Sequence, residues 1–356
     1  MGKKILMKGN EALAEAAVRV GCRLYCGYPI TPQTEIMEYL SGRMPQVGGS
    51  YIQAESEVSA ISMLFGAAST GYRVITASSG PGFSLKQEGI SYIASQNLPA
   101  VIVDVCRYGS GLGLISPGQG DYFQATKGGG HGDYQLPVLA PHTIQESVDL
   151  IALAFDKAEE YLTPVILLTD GALGQMMEGV ELPEMQPVDP EKPWALKGMG
   201  EGKARYYRTA AYDGPQYDTF IQEKYRKMRE NEQRYEKYQV DDADVVLVAY
   251  GISARICKRA VRMGREKGLK IGLLRPISLW PFPMDVFKEV RKTAKAFLSV
   301  EMSAIGQMVE DVALAVHGEK PVYLMPTGMT PPKEQKILEM VQNILDGKEK
   351  EVSNYK

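Results

Sequence analysis

Cysteine is scarce in this 356-residue chain. Cys22, Cys26, Cys106 and Cys257 are too few for a disulfide scaffold and form no paired CxxC arrangement of a structural zinc site. No CxxCxxC run is present to hold an iron–sulfur cluster. Cys22 and Cys26 lie on a strand-like segment, whose i and i+4 positions share a face without converging on a metal. His131, His142 and His317 are far apart and outside any HExxH spacing, so a metalloenzyme reading is weak. A GxSxG elbow, a GxxxxGK[ST] phosphate loop and a GxGxxG fingerprint between the first strand and helix are also missing. Charge of one sign is lacking too: 40 basic against 43 acidic residues leave −3, no field toward nucleic acid or anionic membrane. No apolar run approaches the roughly 18 residues of a membrane helix. Near the start, Lys3, Lys4 and Lys8 are interrupted by Asn10 and Glu11 before a signal-like stretch forms, so a cytoplasmic location is expected.

What is present is an alternation of helix-like and strand-like segments from Lys8 to Asp170, which predicts an α/β domain with a mainly parallel sheet of five or six strands. Helices are expected at Glu11 to Val20, from Pro32 to about Gly42 with Thr31 as N-cap, and at Glu55 to Gly71. Strands are expected at Arg23 to Gly27, Arg73 to Ala77, Ala100 to Val105, Gln135 to Ala140 and Pro164 to Thr169. Thr143 and Glu146 have capping-box spacing. Pro183, Pro187, Pro190 and Pro193 then break regular structure, and Gln222 to Tyr238 reads as an exposed helix, either solvated or gripping another subunit. A second, Rossmann-like α/β module begins near Asp244. The expected division is therefore 1–182, a connector over 183–240, and 241–356.

Polar chemistry gathers at the strand ends, where an open α/β sheet binds ligands. The segments are Gly27 to Gln33, Gln53 to Glu57, Ser78 to Gly82, and Arg107 with the glycine-rich loop behind it. Glu57 opens a helix of small apolar residues: the helix dipole favours its carboxylate while burial would raise its pKa, a balance suited to proton exchange. A plain first-turn helix acid is the alternative. Thr31 is accounted for locally as a helix cap, and Arg107 either receives a substrate carboxylate or makes a structural ion pair.

The whole chain resembles the alpha subunit of the 2-oxoacid:ferredoxin oxidoreductases, most closely the branched-chain (2-oxoisovalerate) type. The resemblance rests on Lys8-Gly9-Asn10-Glu11-Ala12, the GYPITP motif at Gly27 to Pro32, Glu55-Ser56-Glu57, Ser79-Gly80-Pro81-Gly82, Lys127 to Asp133 and Asp170-Gly171. Pro281-Phe282-Pro283 and Glu301 followed by Gly306-Gln307 look like the family's transketolase-C-terminal-like module. The resemblance implies a thiamine-diphosphate pyrimidine-binding domain followed by that Rossmann-type module. Glu57 then matches the cofactor-activating glutamate, whose hydrogen bond to a ring nitrogen of the aminopyrimidine promotes the tautomer that removes the thiazolium proton. Pro29, Ile30, Ser79 and Gly80 fall with Glu57 on cofactor-binding positions, and Thr31 and Arg107 on positions facing the substrate.

The GDG...N motif that binds magnesium and diphosphate is missing, since Gly120-Asp121 and Gly132-Asp133 are each followed by Tyr. No metal ligand is therefore expected on this chain. By resemblance, a beta subunit supplies the diphosphate and Mg2+ site, a ferredoxin-like delta subunit holds the iron–sulfur clusters, and a gamma subunit completes the assembly. The implied reaction is oxidative decarboxylation of a branched-chain 2-oxoacid to acyl-CoA and carbon dioxide, with coenzyme A as acyl acceptor and ferredoxin as electron acceptor. The alternatives are a 2-oxoglutarate enzyme and a non-catalytic subunit that kept the fold. An NAD-dependent dehydrogenase would need nicotinamide to bind at the Gly251 turn.

Overall fold

The computed structural model describes residues 4–198, 206–207 and 214–352. A short strand, β1 (Ile5–Lys8), feeds the alanine-rich helix α1 (Gly9–Arg19). Strands and helices then alternate: β2 (Cys22–Gly27), α2 (Thr34–Gln46), β3 (Ser50–Gln53), α3 (Glu57–Ala68), β4 (Arg73–Ser78), α4 (Pro81–Ser95) and β5 (Ala100–Cys106). After a long loop come α5 (Tyr122–Thr126), β6 (Val138–Leu139), α6 (Ile144–Tyr161), β7 (Pro164–Asp170), α7 (Gly171–Gln175) and β8 (Met177–Val180). The second half holds α8 (Pro215–Asn231), β9 (Tyr235–Tyr238), β10 (Val245–Val248), α9 (Gly251–Glu266), β11 (Ile271–Pro276) and β12 (Ser278–Trp280). It ends with α10 (Met284–Val290), β13 (Ala296–Glu301), α11 (Met308–Val316), β14 (Val322–Pro326) and α12 (Glu334–Leu345).

The large sheet has seven strands, not five or six, in the order β12-β6-β7-β5-β4-β2-β3. All its neighbours are parallel except β12, which comes from the second half and pairs antiparallel with β6, Ser278 opposite Leu139. The alternation of side chains along a strand divides its two cores. Val101, Val103 and Val105 of β5 face α1, α2 and α6 with Leu13, Leu40, Ile151 and Phe155. Ala100, Ile102 and Cys106 belong to the opposite core with Ile61 of α3 and Phe83, Ile90 and Ile93 of α4. The same alternation sends Thr76, Ser78 and Asp104, all fully buried, to the α3/α4 side.

The smaller sheet, β14-β13-β10-β11-β9, is parallel apart from β9. Its tie to the large sheet is ionic as well as apolar. Arg275, 3% exposed, bonds both carboxylate oxygens of Glu146 (2.8 and 3.0 Å) and Glu236 (3.0 Å). Thr143 caps α6 as expected, accepting from the Glu146 amide, but the Glu146 side chain turns to Arg275 and the His142 amide instead of closing the box.

Two local expectations are corrected. The helix expected over Gln222 to Tyr238 spans Pro215–Asn231, and Tyr235–Tyr238 is a strand because it pairs with β11. Nor is that helix fully exposed: Lys224, Tyr225 and Met228 are buried, and the Lys224 ammonium reaches Asn97 Oδ1 and the Leu162 carbonyl at the end of α6. Thr31 does not cap α2; Gln33 holds that position and the helix starts at Thr34.

Candidate active site

The crevice lies at the C-terminal ends of β2, β4 and β5. Glu57 is the first residue of α3, capped by the Ser56 hydroxyl accepting from the Ser59 amide at 3.2 Å. Its side chain is 6% exposed. Across from it, β4 passes into α4 through Ser78 to Gly82. Gly80 has φ +46°, a conformation that favours glycine, and Pro81 opens the helix. A Cβ on Gly82 would stand 2.5 Å from both Glu57 Oε1 and Ser78 Oγ, so only a hydrogen fits between the helix start and the carboxyl. The hydroxyls of Ser78 and Ser79 are buried without a hydrogen-bond partner.

On the other side of this loop a Cβ on Gly80 would lie 3.2 Å from Arg107 Cγ. Arg107, 7% exposed, donates from Nη1 to the Thr31 carbonyl at 3.0 Å and from Nη2 to the Leu112 carbonyl, while its Nε has no partner. One guanidinium thus holds the GYPITP turn and the glycine-rich loop together. The turn is fixed further by Gln33 to the Tyr28 carbonyl (3.1 Å) and Asn10 to the Pro32 carbonyl (2.8 Å). Thr31 and Pro29 are exposed at its rim and Ile30 is half-buried. The structure therefore brings Glu57, Ser79, Gly80, Arg107 and the Pro29–Ile30–Thr31 turn around one crevice, with the 79–82 loop as its common wall.

Sequence reasoning missed two ionisable groups behind that wall, Lys86 and Asp104. Lys86, on the apolar stripe of α4 with Phe83, Ile90 and Ile93, is fully buried. Burial lowers its pKa to about 7 against the pull of Glu57. Asp104, Cys106 and Asp121 keep their ligand atoms within 4.8 Å of one another. Burial first, then Asp121 beside it, pushes the Asp104 carboxyl well above the usual range, and burial raises Asp121 too. The signal was available: a lysine in an apolar helical stripe and an aspartate in the run Ala100–Cys106.

The Gly251 turn offers no open nicotinamide site. Gly251 has φ +58°, and a Cβ there would lie 2.9 Å from Asp170 Oδ2 and Gln119 Nε2. Asp170 accepts from the amides of Ala172, Leu173 and Ile252. Gln119 bonds the Tyr250 carbonyl, Ser253 Oγ and the Met302 amide. Glu301 is likewise spent on structure, accepting from the amides of Gln307, Met308 and Val309 at the start of α11.

Residues 15–245 match the family model of the pyruvate flavodoxin/ferredoxin oxidoreductase thiamine-diphosphate-binding domain, and residues 243–330 that of pyruvate:ferredoxin oxidoreductase core domain II. The ketoisovalerate oxidoreductase subunit VorB of Methanothermobacter thermautotrophicus is 51% identical over 315 residues, 87% of this chain and 89% of that one. The 2-oxoglutarate synthase subunit KorA of Methanocaldococcus jannaschii is 37% identical over 86% of this chain and 90% of that one. Among solved structures, a 2-oxoglutarate:ferredoxin oxidoreductase from Magnetococcus marinus, with 2-oxoglutarate, coenzyme A and succinyl-CoA bound, superposes with a TM-score of 0.84 at 26% identity. That match covers 96% of this chain and 65% of the other. With the α/β fold, the crevice and these matches together, the chain belongs to the 2-oxoacid:ferredoxin oxidoreductase family, as a subunit carrying the thiamine-diphosphate-related domain.

Proposed function

We propose that this subunit supplies the pyrimidine half of a thiamine diphosphate site in an enzyme that oxidatively decarboxylates a branched-chain 2-oxoacid to acyl-CoA and carbon dioxide, passing electrons to ferredoxin. The observation that carries the reading is Glu57, a nearly buried carboxyl at a helix start, facing a wall cleared by Gly82 and lined by two unpartnered hydroxyls. Such a wall fits the flat, polar edge of an aminopyrimidine. The donor set for a diphosphate-bound Mg2+ does not fit: among the described residues the single acid–thiol cluster is Asp104, Cys106 and Asp121, which burial pushes toward the protonated, non-ligating forms. A beta subunit is therefore assigned the diphosphate and Mg2+, a ferredoxin-like subunit the iron–sulfur clusters, and a gamma subunit the rest of the assembly.

Bound thiamine diphosphate would supply the carbon nucleophile and the electron sink for decarboxylation. The chain's own residues do the rest. Glu57 would hold or release a proton at its carboxyl oxygen toward the ring nitrogen, and Gly82 in the facing wall leaves room for only a hydrogen beside that oxygen. Arg107 presents a planar cation, with one donor still free, to the substrate carboxylate, and Thr31 stands at the rim of that pocket. The 108–116 loop held by Arg107 carries Leu112, Leu114 and Ile115 and no cation, which suits an aliphatic substrate side chain rather than a second carboxylate.

Anaerobic dye reduction by the assembled complex with thiamine diphosphate, Mg2+, coenzyme A and a panel of 2-oxoacids tests the proposal. Activity with 2-oxoisovalerate, abolished by Glu57→Gln while assembly persists, is the expected result. A 2-oxoglutarate preference, which the 37% identical relative makes the second reading, would keep the chemistry and replace the substrate. An intact complex inert toward every 2-oxoacid would indicate a non-catalytic subunit.

A further inference from the structure

Lys86 has no part in the chemistry above, yet it occupies the most protected place near it. It sits in the second turn of α4 at 0% exposure, where the helix's apolar stripe would place a leucine. Its Nζ donates to Thr76 Oγ1 at 2.6 Å and to the Ala77 carbonyl at 3.1 Å, and Thr76 Oγ1 donates onward to the Cys26 carbonyl at 2.6 Å. These acceptors are neutral. A buried ammonium that keeps its proton needs a negative charge within reach.

The ionisable groups facing it come from three elements: Glu57 from α3, Cys26 from β2 and Asp104 from β5. Burial pushes the Cys26 thiol up to about 11 and the Asp104 carboxyl well above its usual range, which weakens both as counter-charges. Glu57 approaches this same helix, since its Oε1 would stand 2.5 Å from a Cβ on Gly82, one turn before Lys86 on α4. The side-chain alternation of β4 and β5 puts Thr76 and Asp104 on the sheet face that α3 and α4 cover, so this polar floor lies directly beneath the two helix starts that build the crevice.

We propose that Lys86 is a positioning residue for cofactor activation: its ammonium, held by Thr76 and Ala77, fixes the charge of Glu57 from below. It thereby sets the pH at which Glu57 exchanges a proton with a bound ring. The inference rests on the thiamine diphosphate reading of the crevice and adds a second charge to it. The sign follows from electrostatics. A neighbouring cation disfavours an added proton, so its removal makes the Glu57–ring pair hold its proton to higher pH.

The test uses the assembled complex carrying Lys86→Met, of similar length and apolar, and Lys86→Gln, polar and uncharged. Thiamine diphosphate affinity is measured by calorimetry across pH, beside the dye-reduction rate. The expected result is an acid limb displaced upward by about one pH unit in both variants. In a Glu57→Gln background the Lys86 substitutions should no longer move the pH dependence of cofactor affinity. Limbs that coincide with wild type, in variants that assemble and bind cofactor, would overturn the Lys86 role and leave the cofactor site intact. A wild-type complex that binds no thiamine diphosphate would overturn both. Should Lys86→Met not assemble, Lys86→Gln alone decides, by the displacement or coincidence of its limb.

Discussion

Gly82→Ala isolates the contact on which the crevice depends. The new Cβ would stand 2.5 Å from both Glu57 Oε1 and Ser78 Oγ, well inside the 3.4 Å at which ordinary contact begins, so these oxygens must retreat by about 0.9 Å. The serine oxygen is buried on β4 and the carboxyl is close to fully buried, which leaves neither much room. Backbone preference works the other way, because Gly82 lies in the first turn of α4 without a positive φ, where alanine gains about 0.5–1 kcal/mol. Overpacking costs about 1–3 kcal/mol, so the net loss of stability is at most about 2.5 kcal/mol and Tm falls by a few degrees. Function is far more sensitive. On the proposed thiamine diphosphate reading, a carboxyl displaced by about 0.9 Å away from its partner would lose a normal hydrogen bond to the ring nitrogen. The loss of about 1.5–3 kcal/mol for a bond to a charged group corresponds to a roughly 10- to 150-fold fall in turnover. Thermal scans of the chain and dye reduction by the complex measure the two effects separately. Turnover like wild type at an unchanged Tm would refute the claim that Glu57 works against this wall.

Arg107→Ala should raise KM for the 2-oxoacid more than it weakens thiamine diphosphate binding, and also loosen the Thr31 turn and the 108–116 loop that share its guanidinium. Equal losses for substrate and cofactor in steady-state and calorimetric titrations would return Arg107 to a purely structural role. Acid stability should depend on Glu146. Burial pushes its carboxyl up, but the His142 hydrogen bond and Arg275 outweigh burial and hold it at about 2, below its ordinary 4.5. The associated stability, on the order of 3 kcal/mol, is fully present above pH 4.5 and is lost as pH falls through 2. Arg275→Met should lower Tm by leaving Glu146 with His142 alone and Glu236 with Lys258 alone, and flatten its acid dependence, whereas Tm curves parallel to wild type from pH 6 to 2 would contradict the assignment.

What could be read from the sequence followed from how many residues each signal spans. The run Ala100–Cys106 and the 18-residue α6 repeat their pattern often enough to declare strand and helix. β9 and β12, with four and three residues, have no period to detect and are strands only because β11 and β6 offer them partners. The charge-rich α8 reads as exposed from its sequence because nothing local reveals that Asn97 and the Leu162 carbonyl wait for Lys224. Thr31-Pro32 has the pattern of a cap because such pairs open helices; here Arg107 and Asn10 claim the Thr31 and Pro32 carbonyls, and the helix waits for Thr34.

The crevice divides along the same line. Glu57, Arg107 and the Ser79–Gly82 loop announce themselves as polar or flexible residues at the ends of apolar strands, and the fold gathers them because parallel strands deliver their C-terminal ends to one edge. Lys86 and Asp104 instead break an apolar period from within. Each looks like an error in a core until the two sides of the sheet are assigned, and then Asp104 lies on, and Lys86 reaches down to, the face that carries Thr76 and Ser78. A charge that violates its own strand or helix pattern, and finds its partners on the face beneath a ligand crevice, is better explained by what it does to that crevice than by the stability of the core around it.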